Sequence, residues 1–167
     1  MLNIVVPMAG RGSRFIEGGY TDPKPLITLK NKHMIEVVIN NLKPNCPHRF
    51  IFVCQAEHIK KYNLEDVFQH ACENFELIAI SGLTEGAAIT VLKAREFIDN
   101  NQPLMIANSD QWVDVDINDY LDDMARRNLN GSMLTMKAAD PKWSYAKVDK
   151  LGFVSEVVEK EVISDEA

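Results

Sequence analysis

Asn3-Ile-Val-Val-Pro-Met8 is a short apolar run that closes on Ala9-Gly10. A continuous apolar run of this length, stopped by glycine, reads as a strand buried in a sheet. A loop rich in Gly, Pro and charge follows over residues 9–25. Ile35, Val38, Ile39 and Leu42 then recur at i, i+3, i+4 and i+7, the spacing of a helix, and Lys43-Pro44 ends it. Residues 49–54 (RFIFVC) read as a second strand. Leu64, Val67, Phe68, Ala71 and Cys72 again follow the helical period, with Asn63 as N-cap. Residues 75–80 read as a third strand, 81–86 as a loop, and Ala87, Val91, Ala94 and Ile98 as one face of a helix.

The alternation continues to the end. Residues 103–107 read as a fourth strand closing on Asn108-Ser109-Asp110. Ile117, Tyr120, Leu121, Met124 and Ala125 form an amphipathic helix capped by Asp116. Residues 132–137 read as a fifth strand, and 145–149 and 153–158 as a hairpin around Lys150-Leu-Gly152. Strands alternating with helices predict an α/β fold, a mostly parallel sheet with helices on both faces. Ligands of such sheets bind outside the carboxyl ends of the strands, so the segments just after the strands deserve inspection. No repeat, low-complexity tract or linker interrupts the chain, and its 167 residues suit a single domain over 1–167.

Charge narrows the function. Eighteen Lys and Arg face 24 Asp and Glu, a net charge of −6. An acidic chain is a poor binder of nucleic acid or anionic membrane. The imbalance is local: residues 1–61 hold 9 basic and 4 acidic side chains, and residues 62–167 hold 9 and 20. A basic start on an acidic protein suits a local anion site. Three cysteines without a C-x-x-C indicate buried, reduced thiols, and the four histidines lack metal-ligand spacing and read as surface or capping residues. No signal peptide and no membrane span is legible, so the expected location is the cytoplasm.

Several segments could do chemistry. Gly10-Arg-Gly12-Ser-Arg14 follows the first strand directly. Its glycines let backbone N–H groups approach an anion, and Arg14 adds a planar donor fork for phosphate. It is neither the dinucleotide fingerprint nor a P-loop. In Asp22-Pro-Lys24-Pro-Leu26, two prolines hold Lys24 in an extended, stiff segment. Asp110, after the fourth strand, can hold Mg²⁺. Gln111 and Trp112 shape or pack against the pocket wall, and Leu83-Thr-Glu-Gly86-Ala-Ala88 offers a small-residue loop to a flat ligand. Glu159-Lys160 ends the last strand.

In order and spacing, Pro7-Met-Ala-Gly10-Arg-Gly12-Ser-Arg14-Phe15, then Pro23-Lys24-Pro25-Leu26, Asp110 and Glu159-Lys160 resemble the sugar-phosphate nucleotidylyltransferases, the nucleotide-sugar pyrophosphorylases, with bacterial capsule-type members most similar. The resemblance covers residues 3 to about 160 and implies a Rossmann-like three-layer α/β/α core with a late β-hairpin. It implies transfer of a nucleoside monophosphate from a nucleoside triphosphate, CTP among the candidates, to a sugar 1-phosphate or similar small phosphate. Pyrophosphate is released, and the product serves surface-polysaccharide precursor synthesis. Arg14 and Lys24 would be catalytic, and Ala9, Gly10, Gly12, Ser13, Arg14, Lys24, Glu85, Gly86 and Ser109 would bind the nucleotide. Asp110 would hold Mg²⁺, and Glu159 and Lys160 would bind the acceptor. A homo-oligomer is compatible with the family.

The chain also departs from the family. Ile80-Ser-Gly-Leu-Thr84 stands where members usually carry a Gln, Glu161 stands where Pro usually follows the Glu-Lys pair, and the second metal-binding Asp of the family would fall beyond Ala167, as in a C-terminally truncated domain. Two other readings remain. Asp114-Val-Asp116 is a D-x-D, as in GT-A-type glycosyltransferases, and an inactive nucleotide-binding or regulatory module would need no second metal ligand.

Overall fold

The computed structural model describes residues 1–10, 19 and 22–167. They fall into two units, Met1–Leu121 and Asp122–Ala167. In the first, strand β1 (Leu2–Met8) pairs in parallel with two neighbours. The strands β2 (Thr28–Leu29) and β3 (Lys32–His33) form a small antiparallel pair, followed by helix α1 (Met34–Leu42). Strand β4 (His48–Gln55) leads into α2 (Ala56–Lys61) and α3 (Leu64–Ala71). Strand β5 (Phe75–Ile80) precedes α4 (Ala87–Leu92) and α5 (Arg95–Ile98), and β6 (Leu104–Ile106) precedes α6 (Ile117–Arg126). The sheet order is β5-β4-β1-β6, all parallel, with Leu2 opposite His48 and Asn3 opposite Leu104.

Period-two alternation sends neighbouring strand residues to opposite faces. Ile4, Val6, Phe50 and Phe52 face α1 and α3, joined by Ile117 of α6. Val5, Ile51 and Val53 face Val91 and Ala94 on the other side. Both faces are therefore covered, which is why these strands read as unbroken apolar runs. Phe52 is fully buried and stacks on Phe68 at 3.8 Å between ring centroids. The one fully buried amide of β1, Asn3, is satisfied: its Oδ1 accepts from Arg49 Nη2 at 2.9 Å.

Several sequence expectations need correction. Asn63 precedes α3 but makes no side-chain cap; it sits in the left-handed region (φ 48), which Asn tolerates, and turns the chain between α2 and α3. The expected helix over residues 87–98 is broken, because Ala94 N–H bonds back only three residues, to Val91 O at 2.9 Å, and the tighter turn seats both side chains on the sheet. Lys24 is not in extended chain: Lys24–Leu26 is a 3₁₀ turn, in which Pro25 needs no N–H partner and buried Leu26 is the anchor. Cys54 and Cys72 are buried, and burial pushes their thiols up to about 12 and about 11, but Cys46 is exposed.

In the second unit, β7 (Tyr145–Val148) and β8 (Val154–Val158) form the expected hairpin. Asp149 Oδ1 accepts from the N–H groups of Leu151 and Phe153, at 2.8 and 2.9 Å, and Gly152 takes the positive φ (81°) that the turn requires. The expected fifth strand over residues 132–137 is not a strand. Its only ladder contact is a bridge between Lys137 and Glu166, and Met133, Leu134 and Met136 are exposed. A strand exists only where a neighbour accepts its N–H groups, which composition alone cannot supply.

Phe52→Ala removes the ring that Phe68, Phe50 and Phe75 surround. It should cost about 3–5 kcal/mol in urea unfolding, the range for emptying an aromatic core position.

Candidate functional site

The carboxyl ends of β1, β4, β5 and β6 share one rim, and the loops that leave it carry most of the sequence-predicted residues. Lys24 Nζ lies 2.5 Å from Asp110 Oδ2. The side chains are 33% and 28% exposed, so the pair is screened and serves position more than stability. Each partner is held by its own scaffold. The turn carrying Lys24 is locked at Leu26, whose carbonyl accepts from His33 Nδ1 at 2.8 Å, while His33 N–H donates to Glu36 at 2.6 Å. The loop carrying Asp110 is clamped to α1 by Asn41, which donates to Val113 O at 2.9 Å and accepts from Val113 N–H at 2.8 Å. Ser109 beside it is buried, and Asn108 donates to Gln111 Oε1 at 2.7 Å, while Trp112 is 60% exposed.

The remaining predicted residues separate into three groups. Ala9 is buried at the end of β1, and Gly10 opens the following loop. Gly12, Ser13 and Arg14 lie outside the described residues. Glu85 and Gly86 lie just before α4, where Gly86 O accepts from Thr90 N–H and Oγ1, and the Thr84 and Thr90 hydroxyls lie 2.5 Å apart. Glu159 and Lys160 belong to the second unit and pair with each other at 2.9 Å, which holds the Glu159 carboxyl below its usual range. Lys160 adopts a left-handed φ of 56°.

Two clefts flank the loop after β5. One, of about 630 Å³, is lined by Ala79, Thr84, Glu85, Ile89 and Lys93 with residues of that loop. The other, of about 610 Å³, is lined by Gly10, Gln55, Ala56, Glu57 and His58 with Ile80, Ser81, Gly82 and Leu83. Gln55 was missed by sequence reading. It ends β4, and its Nε2 donates to Ala9 O at 2.9 Å and Gly82 O at 2.8 Å, tying three strand ends together. The available signal was a lone polar residue closing an apolar strand at its carboxyl end.

Among the described residues no group of three His, Cys, Asp or Glu gathers as a metal cage. The donor set still suits Mg²⁺, which takes one or two carboxylates and completes its shell with water and substrate phosphates; Asp110 is the part-exposed carboxylate at the rim. Asp116 of the D-x-D alternative caps α6: its Oδ1 accepts from Asn118 N–H at 2.8 Å and from Asn118 Nδ2 at 2.9 Å, bonds that lower its pKa. No helix among the described residues is long and apolar enough to cross a membrane.

Comparison with known proteins bears on the family and the fold. The nucleotidyl transferase family profile matches residues 4–162. The fold is similar to the nucleoside-diphosphate-sugar pyrophosphorylase of Vibrio cholerae RC9, with TM-score 0.72 and 25% identity over 98% of this chain and 69% of that one. A Bacillus anthracis protein given as a candidate glucose-1-phosphate thymidylyltransferase, solved with sucrose, superposes with TM-score 0.78 at 19% identity, over 100% of this chain and 68% of its own. A UDP-glucose pyrophosphorylase solved with UDP-glucose gives 0.76 at 16% identity, over 100% and 73%. No curated protein sequence gives a match.

Burial holds His58, on the cleft wall, below the usual imidazole value of 6.5; Glu57 opposes this shift and Lys61 adds to it. As pH falls through about 6.5 the unfolded chain takes up the proton first, so acid favours unfolding. The urea midpoint should therefore fall below that pH and level off under the folded value, and His58→Gln should flatten this part of the profile.

Proposed function

The chain belongs to the nucleotidyl transferase family, and from that premise we propose that it transfers a nucleoside monophosphate from a nucleoside triphosphate to a small phosphorylated acceptor. The observation that carries the reading is the meeting of Lys24 and Asp110 at the carboxyl rim, a cation and a carboxylate brought from distant parts of the chain to 2.5 Å. An acceptor phosphate oxygen attacks the α-phosphorus in line. The bond to the β-phosphate breaks, and pyrophosphate leaves with the electron pair. No covalent enzyme intermediate is needed, so the protein's work is positioning and charge stabilisation.

The residues divide that work. The loop at residues 10–14 holds the triphosphate through backbone N–H groups, and Arg14 neutralises the departing pyrophosphate. Lys24 stabilises the charge that grows around the α-phosphate. Asp110, with the substrate phosphates, would hold Mg²⁺, which would supply charge neutralisation at those phosphates. Ser109, Glu85 and Gly86 lie along the nucleotide, and Glu159 and Lys160 bind the acceptor. The acceptor is a sugar 1-phosphate or a similar small phosphate, and CTP is among the candidate donors. On this reading the product serves surface-polysaccharide precursor synthesis. Consumption of a nucleoside triphosphate supports a cytoplasmic setting.

A pyrophosphate-release screen of the four triphosphates against phosphorylated sugars and related metabolites, with and without Mg²⁺, tests the reading. Signal should require Mg²⁺. Arg14→Ala and Asp110→Ala should each lower turnover by roughly 10²-fold or more, the scale for losing one charge-stabilising group. Asp116→Asn keeps an oxygen for the helix cap and should retain activity. Full activity in both alanine variants would remove the site assignment.

A further inference from the structure

Asn130 is the one asparagine of the chain that a glycine follows. Glycine has no Cβ to crowd its own backbone nitrogen, so Gly131 N can approach the side-chain carbonyl carbon of Asn130 closely. The pair lies just beyond α6, whose end closes with Asn128 N–H on Ala125 O and Leu129 N–H on Met124 O, both at 3.1 Å. Both residues are exposed and belong to neither helix nor strand. Among the described residues, the Asn130 amide and the Gly131 N–H have no hydrogen-bond partner. The chain makes its next such bonds at Thr135 and Met136, to Glu166 and Ala167. Exposed backbone without partners is free to rotate into the geometry that the approach requires.

Two other asparagines show what shelter looks like. Asn108 precedes the small residue Ser109, but its Nδ2 donates to Gln111 Oε1 at 2.7 Å and Ser109 is buried. Asn100 is tied at both ends of its amide: Nδ2 donates to Phe97 O at 2.8 Å, and Oδ1 accepts from Gln102 N–H at 2.9 Å.

We propose that Asn130 is a self-modification site, converted in water to a mixture of aspartate and isoaspartate. Gly131 N gives up its proton and bonds to Asn130 Cγ. The Cγ–Nδ2 bond breaks, and the nitrogen leaves with the electron pair, takes up a proton and departs as ammonia. The five-membered imide so formed adds water at one of its two carbonyls. Opening at Cγ restores the backbone and gives aspartate; opening at the backbone carbonyl routes the main chain through the former side chain and gives isoaspartate. Water is the only co-reactant. The new carboxyl has an ordinary pKa of about 4, so it adds one negative charge at neutral pH. Isoaspartate also lengthens the main chain by one carbon. Residues 130–134 make no hydrogen bond among the described residues that this would break, so the product stays folded.

The test is incubation of the 167-residue protein in mildly alkaline buffer, then anion exchange and peptide mapping with electron-transfer fragmentation. A more acidic species should accumulate, heavier by about one dalton as NH₂ gives way to OH, and both products should map to Asn130. The Asn130 rate should be nearly the same in the folded protein and in guanidinium chloride, whereas Asn100 and Asn108 should convert more slowly when folded. Gly131→Ala should leave the Asn130 amide intact over the same period. Its added Cβ meets no atom within 4 Å, and Gly131 is not in the left-handed region, so the variant keeps the fold. Retention of the Asn130 amide in the folded protein would overturn the proposal. So would much slower conversion folded than unfolded, or equal conversion in the Gly131→Ala variant.

Discussion

Strand β1 is hydrogen-bonded on both edges and packed on both faces, and the rest of the first unit takes its geometry from that constraint. Its ladder with β4 runs from Leu2 opposite His48 to Met8 opposite Cys54, and its ladder with β6 from Asn3 opposite Leu104 to Val5 opposite Ile106. Parallel pairing brings the carboxyl ends to one side. A one-residue slip would turn Val5 toward the face of Phe50 and Phe52 and exchange the two cores, so the register is tightly specified. Ala9, Gln55, Gly82 and Asp110 are neighbours of the same rim for this reason, although they come from four separate parts of the chain.

A rim made of loops needs polar side chains to hold its shape, because loop backbone has few regular partners. Gln55 joins the ends of three strands, Asn41 fastens the loop of Asp110 in both directions, and His33 secures the turn that carries Lys24. None of these three is a lysine, an arginine or a carboxylate. They set where the charged pair and the open cleft lie, which is the division expected of a site that works by positioning.

Much of the fold was legible because burial leaves a periodic trace. β1, β4, β5, α1 and α6 lie where their apolar spacing put them, within a residue or two at the ends. What was not legible depended on partners far away in sequence. Residues 132–137 have strand composition but only one isolated bridge, Lys137 to Glu166, where a strand would need a continuous ladder. The break at Ala94 reflects packing on the sheet, and the turn at Lys24 reflects the burial of Leu26. Of the candidate site, Lys24 and Asp110 could be nominated from residue type and position after a strand. Gln55 could not, since a glutamine has no special meaning until the two carbonyls that occupy its nitrogen are known.

Cys46 differs from the other two thiols in facing solvent, next to the entrance of β4 rather than at its carboxyl rim. The deep thiols are shielded from oxidants by the core around them. Air oxidation of a purified stock would accordingly act at one outward sulfur and couple molecules in pairs. Sedimentation or light-scattering masses collected without a reductant would then count those covalent pairs as assembly, and a reducing agent is the control that separates the two.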